Sequence, residues 1–432
     1  MQAIVVVLYV ALLIVPVFQP LPALDAHMSD SITLIAQFVF WGLWWPLVIV
    51  SVMVLGRFWC GTLCPEGALS EWVSRYGLGR GIPRWLRWPG WPFVAFCCVT
   101  VYGQLVSVYE YPRPALVVLG GSTIAAMAVG FLYGRGKRVW CRHLCPVSGV
   151  FALLARVAPL HFRVDRRRWE TSIDGRGAVN CAPLVDIRRM TGAAQCHMCG
   201  RCSGQRGAVR LALRPPGREV VDVTAQTAKR WEARLLVFGL IGTAIGAFQW
   251  SASPWFVAIK QYFAGWAVTH GEMWLLDATA PWWLLTHYPQ AADTFTWLDG
   301  ALIVAYILAT ALVVGGWTWG WLRAAARCLR EDGANGAARL AYALIPLGAV
   351  GVILGLSALT VTMLAAEGIR VPHLELLRGG LLAIGALWSA VLGWQMLRRS
   401  DPAPARRAAA LTMLIVAIGG ILWPWIQLFY VW

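Results

Sequence analysis

Charge is scarce in this 432-residue chain: 13% of residues are Asp, Glu, Lys or Arg, against 59% hydrophobic. A soluble domain carries about 25% charged residues, so the scarcity excludes an ordinary water-soluble globule and marks a membrane composition. None of the 21 acidic residues lies in the middle of a long apolar run, Asp299 and Glu375 standing at the edges of theirs. Proton and ion carriers need ionisable groups at membrane depth, so a pump or secondary transporter is disfavoured. The seven histidines, His27, His143, His161, His197, His270, His287 and His373, fall in loops or at span ends. A bis-histidine haem within the bilayer is therefore not expected, and no C-x-x-C-H exists for c-type haem. A hydrolase nucleophile motif and a phosphate-binding glycine loop are also missing.

What remains is apolar length, tryptophan, arginine and cysteine. Runs of about 20 residues, enough to span a bilayer, are read at 2–19, 32–55, 91–109, 115–133, 234–252, 298–320, 340–365, 375–396 and 410–431. The expectation is an all-α polytopic protein of about nine transmembrane helices. The 26 tryptophans cluster near span ends, as aromatic belts do, and several are expected to pack between helices instead. The first run has neither a basic leader nor a small-residue cleavage site and reads as an anchor. Of 37 Lys and Arg, only Arg113, Lys260, Arg370 and Arg378 fall in or beside the alternate loops; the other 33 lie on one side. The positive-inside rule then predicts a cytoplasmic N-terminus and an outside C-terminus. The net charge of +16 is spread over membrane-proximal loops, which favours orientation over nucleic-acid binding.

That topology places nine of the 11 cysteines on the cytoplasmic side, with Cys97 and Cys98 inside a span and none in an outside loop. Disulfides are rare in the cytosol, so reduced thiols in this number point to metal or redox chemistry. Two segments repeat each other: RFWCGTLCPEGALSEW at 57–72 and RVWCRHLCPVSGVFAL at 138–153. Both contain R-x-W-C-x2-L-C-P and each follows a pair of spans, so residues 1–157 read as a duplicated membrane unit whose cysteines act together. Residues 158–231 form a hydrophilic insert with strand-like alternation in GAVRLALR and EVVDVTA. So small a segment could hardly build a core alone, and a bound cluster would stabilise it. Residues 232–432 form a five-span membrane region with a Trp-rich outside segment at 253–297 that predicts a surface-lying amphipathic helix.

The insert carries Cys196, Cys199 and Cys202 in a C-x2-C-x2-C triplet, but Arg206 and Gly207 stand where a bacterial ferredoxin motif would end in Cys-Pro. Cys181 is the other cysteine of this domain, which predicts one [4Fe-4S] cluster held by Cys181, Cys196, Cys199 and Cys202. Zinc is the alternative, though zinc sites usually pair two separated C-x2-C elements. In Cys60/Cys64 and Cys141/Cys145 the i, i+4 spacing sets both thiols on one helical face. Together they supply four soft ligands for a second cluster, with Arg57, Arg138, Arg142 and Lys137 to offset its negative charge. Packing cysteines or a copper(I) site are the other readings. Cys97 and Cys98 read as packing residues and Cys328 as a free thiol. His270, Met273 and His287 could bind copper, but solvated side chains are the simpler reading.

The paired WC...LCP elements flanked by spans, followed by a cysteine-rich loop, resemble the membrane polyferredoxins, the NapH-like and NosR-like group of 4Fe-4S proteins, over about residues 30–215. The resemblance implies an electron-transfer protein of the bacterial inner membrane that exchanges electrons between the quinol pool, or a cytoplasmic donor, and a respiratory or metal-handling redox partner. A quinone would then dock among the first four spans. The chain departs from that group in its single, incomplete loop motif. A metal-handling or assembly factor for copper or iron, and a purely structural subunit, are the competing expectations.

Overall fold

The computed structural model describes residues 2–23, 26–172, 179–223, 227–399 and 403–432. It is mostly helical. Seven helices are long and apolar enough to cross a membrane: Ile32–Leu55, Pro112–Tyr133, Arg230–Gln249, Trp297–Cys328, Gly333–Ala366, Leu374–Arg398 and Pro404–Val431. The runs at 2–19 and 91–109 instead form shorter apolar helices, Gln2–Phe18 and Trp91–Leu105. Pro16 lies in a tightened final turn in the first. The second breaks at Val106, just before Ser107, which takes a positive φ of 49°.

The sequence duplication is reproduced in space. In each repeat a long span leads into a short helix bearing the first cysteine, Phe58–Thr62 and then Val139–His143. A second helix follows each cysteine pair, Pro65–Ser74 and Ser148–Val157. These second helices are exchanged between repeats. Pro65–Ser74 packs along Pro112–Tyr133, with the Ser70 hydroxyl donating to the Ala126 carbonyl at 2.9 Å. A Cβ at Gly130 would sit 2.6 Å from the Ser70 carbonyl oxygen, so only glycine allows this approach. Reciprocally, Val150, Leu153 and Leu154 of Ser148–Val157 pack on Val48, Ile49 and Val52 of the first span. The two cysteine pairs are thereby drawn to one end of one bundle.

The insert is a two-stranded antiparallel sheet, β1 Leu160–Val164 with β2 Val209–Leu213, in register from Leu160↔Leu213 to Val164↔Val209. Among the described residues its hydrophobic cluster comprises Phe162, Ile187, Met198 and Val209, bordered by Cys181, Cys196 and Cys202. The expected strand in EVVDVTA is instead a short helix, Arg218–Asp222, with residues 224–226 outside the described ones. Gly217, at φ 77°, turns the chain so that Glu219 is buried. There the carboxylate meets Arg156 at 3.5 Å and Arg214 at 2.6 Å and accepts the Ala193 N–H at 2.7 Å. A paired, buried carboxylate outweighs the weak strand preference of a valine-rich stretch.

Arg230–Gln249 is the most buried of the long helices. It crosses Trp297–Cys328 through a G-x-x-x-G face, where Cβ atoms at Gly242 and Gly246 would meet the Ala311 and Ile307 Cα atoms at 2.8 and 2.9 Å. Small residues permit such close backbone approach in membrane bundles. Gly246→Val is expected to cost at least about 1–3 kcal/mol, because backbone cannot move aside as a side chain can. Thermal unfolding in detergent checks this.

Outside this bundle, Pro254–His270 exposes Trp255, Tyr262, Trp266 and Val268. The His270 ring stacks on Trp266.

Candidate metal centre

The two C-x3-C turns fold alike. Arg57 and Arg138 precede their helices with non-helical dihedrals, and the Gly61 and Arg142 N–H groups donate back to their carbonyls, both at 3.2 Å. The Trp59 carbonyl accepts from Leu63 and Cys64, and the Trp140 carbonyl from Leu144 and Cys145, at 2.9–3.0 Å. Cys64 then caps the helix that opens at Pro65, its Sγ accepting the Gly67 N–H at 3.4 Å. A helix N-terminus favours a thiolate there.

Both arginines are buried, at 4% and 2% exposure, and each reaches into the other repeat. Arg57 donates to the Ser148 hydroxyl at 2.7 Å and to the Ala194 carbonyl at 3.1 Å. Ser148 in turn donates to the Cys141 carbonyl at 2.5 Å. Arg138 donates to the Glu71 carboxylate at 2.7 Å and to the Cys60 and Gly61 carbonyls. Ser148 and Gly67 are equivalent positions in the repeat. The Gly67 position is a cradle: a Cβ there would lie 3.6 Å from both the Cys64 and Cys141 sulfurs and 3.3 Å from Arg138 Nη1. Cys60, Cys64, Cys141 and Cys145 all line one cavity of about 240 Å³.

The insert thiols form a second set. Cys181 is held against the second repeat, where Lys137 Nζ donates to its carbonyl at 3.1 Å and the Arg138 N–H donates to the Ala182 carbonyl at 2.8 Å. Cys196, Cys199 and Cys202 dock on the first repeat. Met198 (φ 54°) and Gly200 (φ 74°) turn the loop through left-handed conformations, and the Met198 N–H donates to Cys196 Sγ at 3.4 Å. Arg201 reaches Glu71 at 2.6 Å, so one buried carboxylate serves both the loop and Arg138. Burial pushes that carboxyl upward, but Arg201 and Arg138 outweigh burial and hold it below its usual range. Its stabilising contribution is thus present at neutral pH and lost as pH falls through the depressed folded value.

The two sets adjoin at Gly61. A Cβ there would fall 2.0 Å from the His197 carbonyl oxygen and 2.9 Å from the Cys199 N atom. Gly61 follows Cys60 directly, so a single stretch of backbone contact separates one thiol set from the other. Gly61→Val is expected to dislodge the 193–202 loop, at a cost above the usual overpacking range of about 1–3 kcal/mol. Faster amide exchange in that loop would report it.

The donor chemistry suits a multi-iron group. Burial raises the Cys64 and Cys145 pKa values well above normal, followed at Cys64 by the charge of neighbouring thiols and then Glu66, and at Cys145 by Glu66 and then the neighbouring thiols. Burial also lifts Cys141 and Cys196 to about 12 and Cys202 to about 11. Mutual charge effects link Cys181 with Cys199, and Cys196 with Cys202, Cys199 and Cys181. Buried thiols that resist ionising together are held as thiolates by bound metal cations, with proton release. Among the described residues no three His, Cys, Asp or Glu side chains are close enough to share one metal ion. His270 and His287 likewise join no such group among the described residues. Cys97 Sγ contacts Thr243 Oγ1 at 3.4 Å, and Cys328 Sγ lies 3.8 Å from the Met413 sulfur.

Residues 37–87 and 117–168 match the 4Fe-4S binding domain. Each match falls on one of the two repeats. The matched segments contain the two C-x3-C-P pairs, whereas the insert thiols lie beyond them. The chain is also 25% identical over 227 residues to YccM of Escherichia coli K12, a protein named for electron transport; this covers 46% of the chain and 62% of YccM. It is 25% identical over 217 residues to the ferredoxin-type protein NapH of Haemophilus influenzae, covering 44% of the chain and 71% of NapH. The chain thus spans less than two thirds of the length of YccM. No solved structure matches at comparable significance. The resemblance read from the WC...LCP elements stands.

Four neighbours of the thiols, Glu71, Gly61, Ser148 and His197, stand out only in the structure. Glu71 and Gly61 carry no motif, and only the repeat offset marks Ser148 as the counterpart of Gly67. His197 lies in a loop, as read from the sequence, but its ring is buried and Nδ1 has no partner among the described residues. Burial first, then Arg57, Arg138 and Arg142, keep that ring neutral.

Proposed function

We propose that Cys60, Cys64, Cys141 and Cys145 hold one [4Fe-4S] cluster and Cys181, Cys196, Cys199 and Cys202 a second. The protein then serves as an iron-sulfur electron carrier of a bacterial inner membrane. Each cluster accepts and releases one electron at a time. The observation that supports this reading most is the abutment of the two thiol sets at Gly61, which sets two redox centres in line across one loop contact. Arg57, Arg138, Arg142 and Lys137 counter the negative charge of thiolate-bound iron, and the backbone N–H donors of Gly67 and Met198 do the same at Cys64 and Cys196. Both effects raise the reduction potential. The apolar walls around the first set keep water away.

In this reading the thiol end of the bundle faces the cytoplasm, with the N-terminus inside and the C-terminus outside. Residues 1–157, 158–231 and 232–432 act as membrane cluster unit, soluble cluster domain and membrane anchor. Electrons pass between the quinol pool, or a cytoplasmic donor, and a respiratory or metal-handling partner protein. Electron paramagnetic resonance of anaerobic protein tests the assignment. Dithionite is expected to develop iron-sulfur signals and a quinol to develop at least one of them. A reduced sample without any iron-sulfur signal would overturn the reading, and signals that quinol never elicits would remove the quinol pool from it.

A further inference from the structure

His197 stands between Cys196 and Cys199 of the insert loop, yet its surroundings belong to the two repeats. The residue is 2% exposed, and Nδ1 has no hydrogen-bond partner among the described residues. Its carbonyl oxygen packs on Gly61, so it enters the first repeat beside the residue that follows Cys60. The charged groups that bear on the ring are Arg57, Arg138 and Arg142, all three from the C-x3-C turns of the membrane unit. Among the described residues no carboxylate and no insert thiol joins them.

Those guanidiniums frame the membrane set. Arg57 lines the cavity that receives Cys60, Cys64, Cys141 and Cys145. Arg138 Nη1 lies 3.3 Å, and the Cys64 and Cys141 sulfurs 3.6 Å, from the Cβ position at Gly67. Arg57 and Arg138 direct their N–H groups to Ser148, Glu71 and backbone carbonyls. Guanidinium nitrogens only donate, and a neutral imidazole has one N–H and one bare nitrogen. Nδ1 takes no hydrogen bond from these cations, which suits a protonated Nδ1 that donates. Buried polar atoms are almost always paired, and the acceptors that these cations frame are the sulfurs of the membrane set.

We infer that His197 donates an N–H hydrogen bond to sulfur of the cluster held by Cys60, Cys64, Cys141 and Cys145, so that a residue of the insert raises the reduction potential of the membrane-set centre. The inference rests on the proposed cluster assignment and adds a tuning residue that ties one centre to the loop of the other. Hydrogen bonds to sulfur are among the determinants of cluster potential. Reduction adds one negative charge, and a hydrogen bond to a more highly charged acceptor is stronger, so the donor favours the reduced state. The ring keeps its proton in both states, and the electron alone moves.

Redox titration of the full chain in phosphatidylcholine nanodiscs, read by electron paramagnetic resonance, tests this; the membrane-set signal is the one that Cys145→Ala removes. His197→Leu is expected to lower the midpoint of that signal by about 59 mV or more, a tenfold change in a one-electron equilibrium. His197→Asn keeps a side-chain N–H close to the place of Nδ1 and is expected to recover most of the loss. Electron-nuclear double resonance of wild-type protein with isotope-labelled histidine is expected to show a histidine nitrogen coupled to the same signal, and this measurement decides alone should a variant lose its iron. An iron content of about eight per chain checks that each variant keeps both clusters. An unchanged midpoint in iron-replete His197→Leu, equal lowering in His197→Asn and His197→Leu, or wild-type protein without the nitrogen coupling would overturn the inference while leaving the clusters in place. A wild type without iron-sulfur signals would overturn the cluster assignment, and this inference with it.

Discussion

Arg138→Met is expected to destabilise the protein by about 3–5 kcal/mol, the range for removing one partner of a buried ion pair. Arg138 and Glu71 are 2.7 Å apart, with side-chain exposures of 2% and 6%. Methionine fills a similar volume but leaves the carboxylate with Arg201 alone, takes the Arg138 donor from the Cys60 carbonyl and leaves the Gly61 carbonyl with Gln2. Lysine in the same place keeps the charge but lacks the fork that serves carboxylate and carbonyl together, so Arg138→Lys is expected to recover only part of the loss. The Arg138→Met, Glu71→Gln double variant should be less damaged than the sum of the singles, because no buried ion then lacks its partner and Arg201, 40% exposed, reaches solvent. Denaturation of the purified protein in detergent, followed by tryptophan fluorescence, gives all four values.

Removing one thiol from either set is expected to take about four of about eight irons and to leave the other four. Cys181→Ala should empty the insert set, and because the hydrophobic cluster beside it is small, it should also open the 158–231 segment to protease. Cys145→Ala should empty the membrane set while the insert signal persists, since Cys181, Cys196, Cys199 and Cys202 keep their own supports. A single pool of four irons lost in both variants would mean that the eight thiols serve one cluster.

The sequence repeat carried most of this architecture. R-x-W-C-x2-L-C-P folds the same way in both copies because its hydrogen bonds are local, from Trp59 to Cys64 and from Trp140 to Cys145. Thiol identity, spacing and the basic neighbours were legible for the same reason. The partners that cross between repeats were not. Arg57 finds Ser148, and Arg138 finds Glu71, only once the spans have packed, and a single sequence does not record which buried cation meets which carboxylate. EVVDVTA misled because alternation measures fit to a pleated surface, while Glu219 is drawn inward by Arg156 and Arg214. The cavity lined by the membrane thiols was equally unreadable, because its wall is assembled from helices far apart in the chain, from Tyr9 to Leu356.

The count of iron and acid-labile sulfide per chain in anaerobically purified wild-type protein tests the central claim most directly. Two four-iron clusters require about eight of each, and reduction should give iron-sulfur resonance signals. Fewer than one iron per chain, with no such signal after reduction, would contradict the account.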